Sequence, residues 1–257
     1  MPKRPVVWWD PNVARFRWAN GRFAAAERVR QLSAESTEAR YAVVNSLGSR
    51  VVNGSIGVRQ WQAEMREHVK REYIRQYVLG RGGLEQMTQA DWGAIGGRLQ
   101  WEYKHLRGFT TDLAVGKLSE KQAQARARMY IEDARWGYER GQKAAKTDAG
   151  YTEVAWVLGE TEHCEVCVSR AADGWQKIED NPWGGDVPPE GCLGFTKCGC
   201  HLEYKGPAEF DAEALRKAVV LEQAQFESEL SELEQRLNAA RSELVHIYEI
   251  EGKEAFD

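Results

Sequence analysis

The clearest apolar pattern lies between Val58 and Leu79, where Val58, Trp61, Met65, Val69, Tyr73 and Tyr77 recur at spacings of three and four. That spacing places all six on one face of an α-helix. Gly80-Arg81-Gly82-Gly83 follows and predicts its end, since glycine accepts the left-handed conformation common at helix C-termini. A second helix is expected from Thr88, with Asp91 three residues on and a stripe of Trp92, Ile95, Leu99, Tyr103 and Leu106. A short segment around Phe109 to Leu113 then leads to Gly116. Ser119 and Gln122 read as a capping box, opening a helix that carries Ala123, Ala127, Tyr130, Ala134 and Tyr138 and ends near Lys146. Between Ala24 and Leu47 the pattern is helical but patchy, and Asn53-Gly54 with Gly57 marks a turn.

Outside this helical stretch the texture changes. Residues 1–23 show no sustained period and read as an arm with little regular structure, bearing Trp8, Trp9 and Trp18. Glu153 to Leu158 reads as a strand, and His201 to Tyr204 as a second, with a Gly-, Pro- and Cys-rich stretch between them. After Gly206-Pro207, Phe226, Leu230, Leu233, Leu237, Ala240, Leu244 and Ile247 form a heptad stripe about three repeats long. The expected organisation is an arm (1–23), a helical domain (24–150), a Cys-rich α+β module (151–206) and an acidic C-terminal helix (207–257). The fold class is therefore mainly α, with a small metal-stapled α+β module and a long C-terminal helix.

Charge divides the chain unevenly. The net charge is −4, but the first fifty residues hold 9 Lys/Arg against 4 Asp/Glu, and residues 208–257 hold 5 against 13. A basic head suits a polyanion or an acidic protein patch, and an acidic heptad tail suits a protein neighbour. A parallel in-register tail dimer is disfavoured, because Glu222–Glu227, Glu229–Glu234 and Arg236–Arg241 would each repel. The tail is thus expected to dock on its own body, on another protein, or antiparallel. No apolar run approaches the roughly 20 residues of a membrane helix, and no apolar run follows the basic start, so a cytoplasmic product without a secretory signal is expected.

All five cysteines fall between Cys164 and Cys200. Clustering of this kind in a cytoplasmic protein favours a metal over disulfides. Cys164-x2-Cys167 and Cys198-Gly199-Cys200 supply four thiols, the number a closed tetrahedral zinc site takes. The expected ligands are Cys164, Cys167, Cys198 and Cys200, with Cys192, His163 and His201 in reserve. Gly199 permits the bend a C-x-C pair needs. Four thiolates point to structural rather than catalytic zinc. The zinc-deaminase, phosphate-loop, nucleophile-elbow and metalloprotease signatures do not occur, so no enzymatic activity is expected. Trp61, Trp92 and Trp156 are expected in the core; Trp8, Trp9 and Trp18 suit a protein contact or stacking on nucleic acid.

Trp156, His163-Cys164-x2-Cys167, Gly174, the Pro/Gly-rich loop and Cys192…Cys198-x-Cys200 with Leu202 and Tyr204 resemble the C-terminal module of the Mu F-like head morphogenesis proteins of tailed phages. Gly80-Arg-Gly-Gly83, Asp91-Trp92, Leu106-x2-Phe109, Gly116-x-Leu118-Ser119 and Arg126-x2-Met129-Tyr130 extend the likeness over residues 58–205. The family usually ends in N-C-R-C, whereas this chain reads Lys197-Cys198-Gly199-Cys200. The resemblance implies a minor capsid protein without enzymatic activity, made in the host cytoplasm and held in the virion at the portal vertex and capsid interior. Implied partners are the portal protein and the major capsid protein, while the charge of the basic arm suits packaged DNA; neither a membrane nor a small-molecule substrate is expected. The rivals are a zinc-dependent nuclease, which would need His163, His201 or Asn181 beside the metal, and a DNA-binding zinc module.

Overall fold

The computed structural model describes residues 7–160, 162–180, 183, 187, 192, 198–206, 228–229, 231–233 and 235–236. Met1–Glu209 forms one compact unit and Phe210–Asp257 a second. Among the described residues the first unit is mainly helical with two small antiparallel sheets. Among the described residues no helix is long and apolar enough to cross a membrane.

Residues 1–23 depart from the expected arm. Val7–Asp10 (β1) and Arg15–Trp18 (β2) pair antiparallel as a hairpin. Asp10 builds its bend: one carboxylate oxygen accepts from the Asn12 backbone N–H and the other from the Arg17 guanidinium. Alternation turns Val7, Trp9 and Phe16 inward, where all three are buried with Val29, Tyr138 and Ala145. Strands of four residues are too short to show a period, which is why the sequence reads as irregular. Trp9 is therefore core, only 2 % exposed, with the Lys146 ammonium 4.4 Å from its ring centre. It is not available to stack on nucleic acid.

Among the described residues, three long helices and two shorter ones make the body. Ala26–Val52 (α1) is longer than the patchy pattern suggests. Val58–Arg81 (α2) buries Trp61, Met65, Val69, Tyr73 and Tyr77 along the expected stripe. Gly82 ends it at φ 90, and Trp9 packs so closely that a Cβ on Gly82 would sit 1.9 Å from the Trp9 Cβ. Both the conformation and the contact exclude any other residue there.

Gln89–Ala114 (α3) starts on a formed capping box between Thr88 and Asp91. The expected short segment at Phe109 to Leu113 belongs to this helix, and both residues are buried in it. Trp92, expected in the core, is instead 37 % exposed; the stripe rotates onto Ile95, Leu99, Leu106 and Phe109. Asp91 also accepts from the Tyr77 hydroxyl at 2.8 Å and pairs with Arg81, tying the start of α3 to the end of α2.

The single helix expected from Ser119 to Lys146 is two: Glu120–Glu132 (α4), with its Ser119–Gln122 capping box, and Arg135–Asp148 (α5). The break falls at Asp133-Ala134, where no Gly or Pro announces it. Tertiary pull accounts for it. Asp133 lies beside the Arg98 guanidinium and 2.6 Å from the Tyr73 hydroxyl, which also sits 2.8 Å from Glu102. Helices α2 and α5 cross closely because of glycine: a Cβ on Gly80 would lie 2.0 Å from the Tyr138 carbonyl oxygen.

A three-stranded sheet follows, ordered β4-β3-β5, from Glu153–Val157 (β3), Gln176–Lys177 (β4) and His201–Lys205 (β5). Glu165–Ala172 (α6) lies between β3 and β4 in sequence. The α+β reading of this module holds, with α6 and β4 added to the two strands expected.

In the second unit, residues 228–229, 231–233 and 235–236 are helical. The rest of the expected long C-terminal helix lies outside the described residues. Leu233, the member of the heptad stripe that is described, is exposed.

Candidate metal centre

Strand pairing builds the site. Val157 of β3 stands opposite His201 of β5, and Trp156 opposite Leu202. The residues just after β3 and just before β5 are thereby brought to one end of the sheet. The first set holds Gly159, His163, Cys164 and Cys167, and the second holds Cys198, Gly199 and Cys200. Cys164 is the N-cap of α6, and its carbonyl accepts the backbone N–H of Cys167 at 3.0 Å. The C-x2-C pair thus spans the first helical turn, where the positive end of the helix favours thiolate.

All five thiols converge. Cys164, Cys167 and Cys192 lie within 4.8 Å of one another, and so do Cys167, Cys198 and Cys200. Cys167 is common to both groups, 3.8 Å from Cys192 and 3.9 Å from Cys198. In a tetrahedral zinc site with Zn–S bonds of about 2.3 Å, the sulfur–sulfur edge is about 3.8 Å. The cluster could hold a metal ion.

Cys192, held in reserve on sequence grounds, stands in contact with the C-x2-C pair. The four thiols expected as ligands divide between the two groups rather than forming one. His163 points its Nδ1 at Cys200 Sγ, 3.6 Å away. His201 joins neither group; its Nε2 is 3.5 Å from Glu203, and it lines a cavity of about 870 Å³ with Glu27, Arg30, Arg135 and Glu139. Asn181 lies outside the described residues.

Burial sets the protonation chemistry. Cys167 and Cys200 are at most 1 % exposed. Burial, then the neighbouring thiols, pushes Cys167 far above the usual thiol range, and burial pushes Cys198 up to about 12. Without a cation these thiols stay protonated, since charges so close and so dry repel. A bound metal must release those protons, so metal binding and deprotonation are one event. The donors are soft sulfurs, and Trp156, Ile178, Trp183 and Leu202 make an apolar surround. Among the described residues that donor set suits zinc and includes no carboxylate for a hard cation.

Two residues without a sequence signal shape the centre. The Arg135 guanidinium of α5 donates to the carbonyl oxygens of both Cys198 and Cys200. This fork draws the two carbonyls together and supplies the bend for C-x-C, while its charge offsets thiolates nearby. Behind it, the fully buried Glu139 carboxylate lies 3.7 Å from Arg135 Nε. Gly159 is the other: its backbone packs on Gly199 so tightly that a Cβ would come within 2.5 Å of it. Arg135 sits in Asp133-Ala-Arg-Trp136, which matches no motif, so only the folded chain reveals its role.

No family model, no curated protein and no solved structure matches the chain.

Proposed function

We propose that the chain is a structural head morphogenesis protein of a tailed phage, acting without enzymatic activity, in which zinc staples the cysteine module. The observation that carries the metal part is the convergence of five cysteines from three chain segments onto Cys167. The phage part rests on the resemblance across residues 58–205, whose most specific stretch is the same cysteine module.

In this reading the helical body and the zinc-stapled module form the rigid part of a minor capsid protein at the portal vertex and capsid interior. The portal protein and the major capsid protein are its neighbours. The basic head region reaches packaged DNA or acidic protein patches through charge, with Trp9 excluded from any stacking role and Trp8 and Trp18 only half-buried. The acidic tail holds a protein neighbour.

Fractionation of mature particles tests the reading. The chain should copurify with DNA-filled heads in few copies. Its absence from those heads, with abundance in free lysate, would overturn the virion role.

A further inference from the structure

Six sulfur and nitrogen donors crowd a centre whose closed tetrahedral form takes four, so the geometry must select among them. The groups Cys164, Cys167, Cys192 and Cys167, Cys198, Cys200 each bring three thiols, and among the described residues neither includes a fourth donor within 4.8 Å of all its members. Beside the second group a nitrogen donor approaches one member. His163 Nδ1 is 3.6 Å from Cys200 Sγ. With Zn–S bonds of about 2.3 Å and a Zn–N bond of about 2.0–2.1 Å, a tetrahedral nitrogen–sulfur edge is about 3.6 Å.

The tautomer agrees. His163 Nε2 lies 3.0 Å from the Gly159 carbonyl oxygen, which can only accept, so Nε2 carries the hydrogen. In the neutral imidazole Nδ1 is then left with its lone pair facing the sulfurs. A ligating histidine characteristically donates its other ring N–H to a backbone carbonyl or carboxylate, which fixes the ring and raises its basicity. Gly159 is itself pinned, because its backbone packs directly on Gly199 inside the C-x-C pair. The same glycine that orients His163 is therefore locked to the loop that carries Cys198 and Cys200. Arg135 holds the carbonyls of both those cysteines, so two donors sit on backbone fixed from outside the centre and the His163 ring is oriented through Gly159.

We propose that the metal is held by Cys167, Cys198, Cys200 and His163 through Nδ1, a three-sulfur, one-nitrogen set, with Cys164 and Cys192 as neighbouring thiols outside it. This rests on the reading of the cluster as a zinc centre. Three thiolates and a neutral imidazole carry one negative charge less than four thiolates, leaving net −1 around Zn²⁺, and the Arg135 guanidinium stands beside that charge.

X-ray absorption at the zinc edge of the full chain loaded with one equivalent of zinc tests the set directly. The expected shell is three sulfurs at about 2.3 Å and one nitrogen at about 2.0–2.1 Å. The nitrogen should vanish in His163→Ala and persist in His201→Ala. Zinc affinity of His163→Ala, from competition with a chromophoric chelator, should fall by more than the roughly 10–100-fold that loss of an outer partner brings. Cys164→Ser and Cys192→Ser should keep the three-sulfur, one-nitrogen shell. A four-sulfur shell in the unsubstituted chain overturns the proposal while leaving the zinc reading intact, as does a nitrogen that survives His163→Ala. A chain that binds no zinc overturns both.

Discussion

The helical body and the cysteine module are both buried structures, but they are built on different means. In the body, Trp61, Met65, Val69, Tyr73, Leu106 and Phe109 are each at most 1 % exposed and come from helices of 24 and 26 residues. Large side chains on long helices remove enough apolar surface from water to hold the assembly together. The module has strands of five, two and five residues and a helix of eight. Among the described residues, four of its ten buried core residues are cysteines, which are small and contribute little apolar area. A sheet this short is marginal by itself, and in the proposed centre a metal joining the segments 163–167 and 198–200 would supply the missing constraint. On the proposed zinc centre, the difference teaches that one chain can be stable by packing in one region and by coordination in the other, and that the two should fail under different insults.

The largest effect that would separate the two is a cavity in the body. Trp61→Ala removes a fully buried indole packed edge-on against Phe109 at 4.7 Å. It should cost about 3–5 kcal/mol, read as a lowered midpoint in chemical denaturation. Zinc affinity of the folded variant should stay unchanged; a parallel loss would mean that the two regions do not stand apart.

Next in size is the link between them. Arg135→Gln withdraws the fork from the Cys198 and Cys200 carbonyls and leaves the Glu139 carboxylate buried without its nearest cation. Hydrogen bonds from a charged donor contribute about 1.5–3 kcal/mol each, so the module should destabilise by about 2 kcal/mol or more. Zinc affinity should drop about 10–100-fold, as for an outer partner of a metal ligand. Differential scanning calorimetry with and without zinc reads both.

The stripe from Trp61 to Tyr77, the glycine stop after it and the capping boxes at Thr88 and Ser119 are local signals. They act through periodicity and through the nearest backbone N–H groups, so the sequence displays them. The break at Asp133-Ala134 is not local: Asp133 is drawn to Arg98 and Tyr73, contacts formed only when α2, α3 and α4 assemble. The hairpin escaped notice because four-residue strands give no period, and Trp92 because a helical stripe cannot say how far its edge rotates into solvent. At the centre, clustering of the cysteines along the chain foretold a metal-competent group. The place of Cys192 and the fork of Arg135 depended on β3–β5 pairing and on a helix more than sixty residues away.

Glu102 belongs to that non-local network. Burial, then the neighbouring Asp133, pushes its carboxyl up to about 8, while hydrogen bonds from Glu102 and Tyr73 and the Arg98 charge hold Asp133 low against its own burial. The proton thus stays on Glu102 in the folded body. A carboxyl whose folded pKa is raised contributes stability fully below its unfolded value, near 4.5, and loses it as pH rises through about 8. Glu102→Gln mimics the protonated form, so near pH 5 it should cost about 1 kcal/mol or less. That cost should shrink, and then reverse, as pH rises towards 8. Denaturant midpoints of the two proteins across pH 5–9 read the difference; parallel pH profiles would show that Glu102 is ionised throughout.

The most direct test of the central contrast is hydrogen exchange by mass spectrometry on the full chain before and after zinc is removed with a strong chelator. Peptides from 153–180 and 198–205 should lose their protection on chelation and regain it when zinc is restored, while peptides from 58–148 should exchange at the same rate in both states. Protection of the cysteine module that is unchanged by chelation would contradict the account, and so would a body that opens together with it.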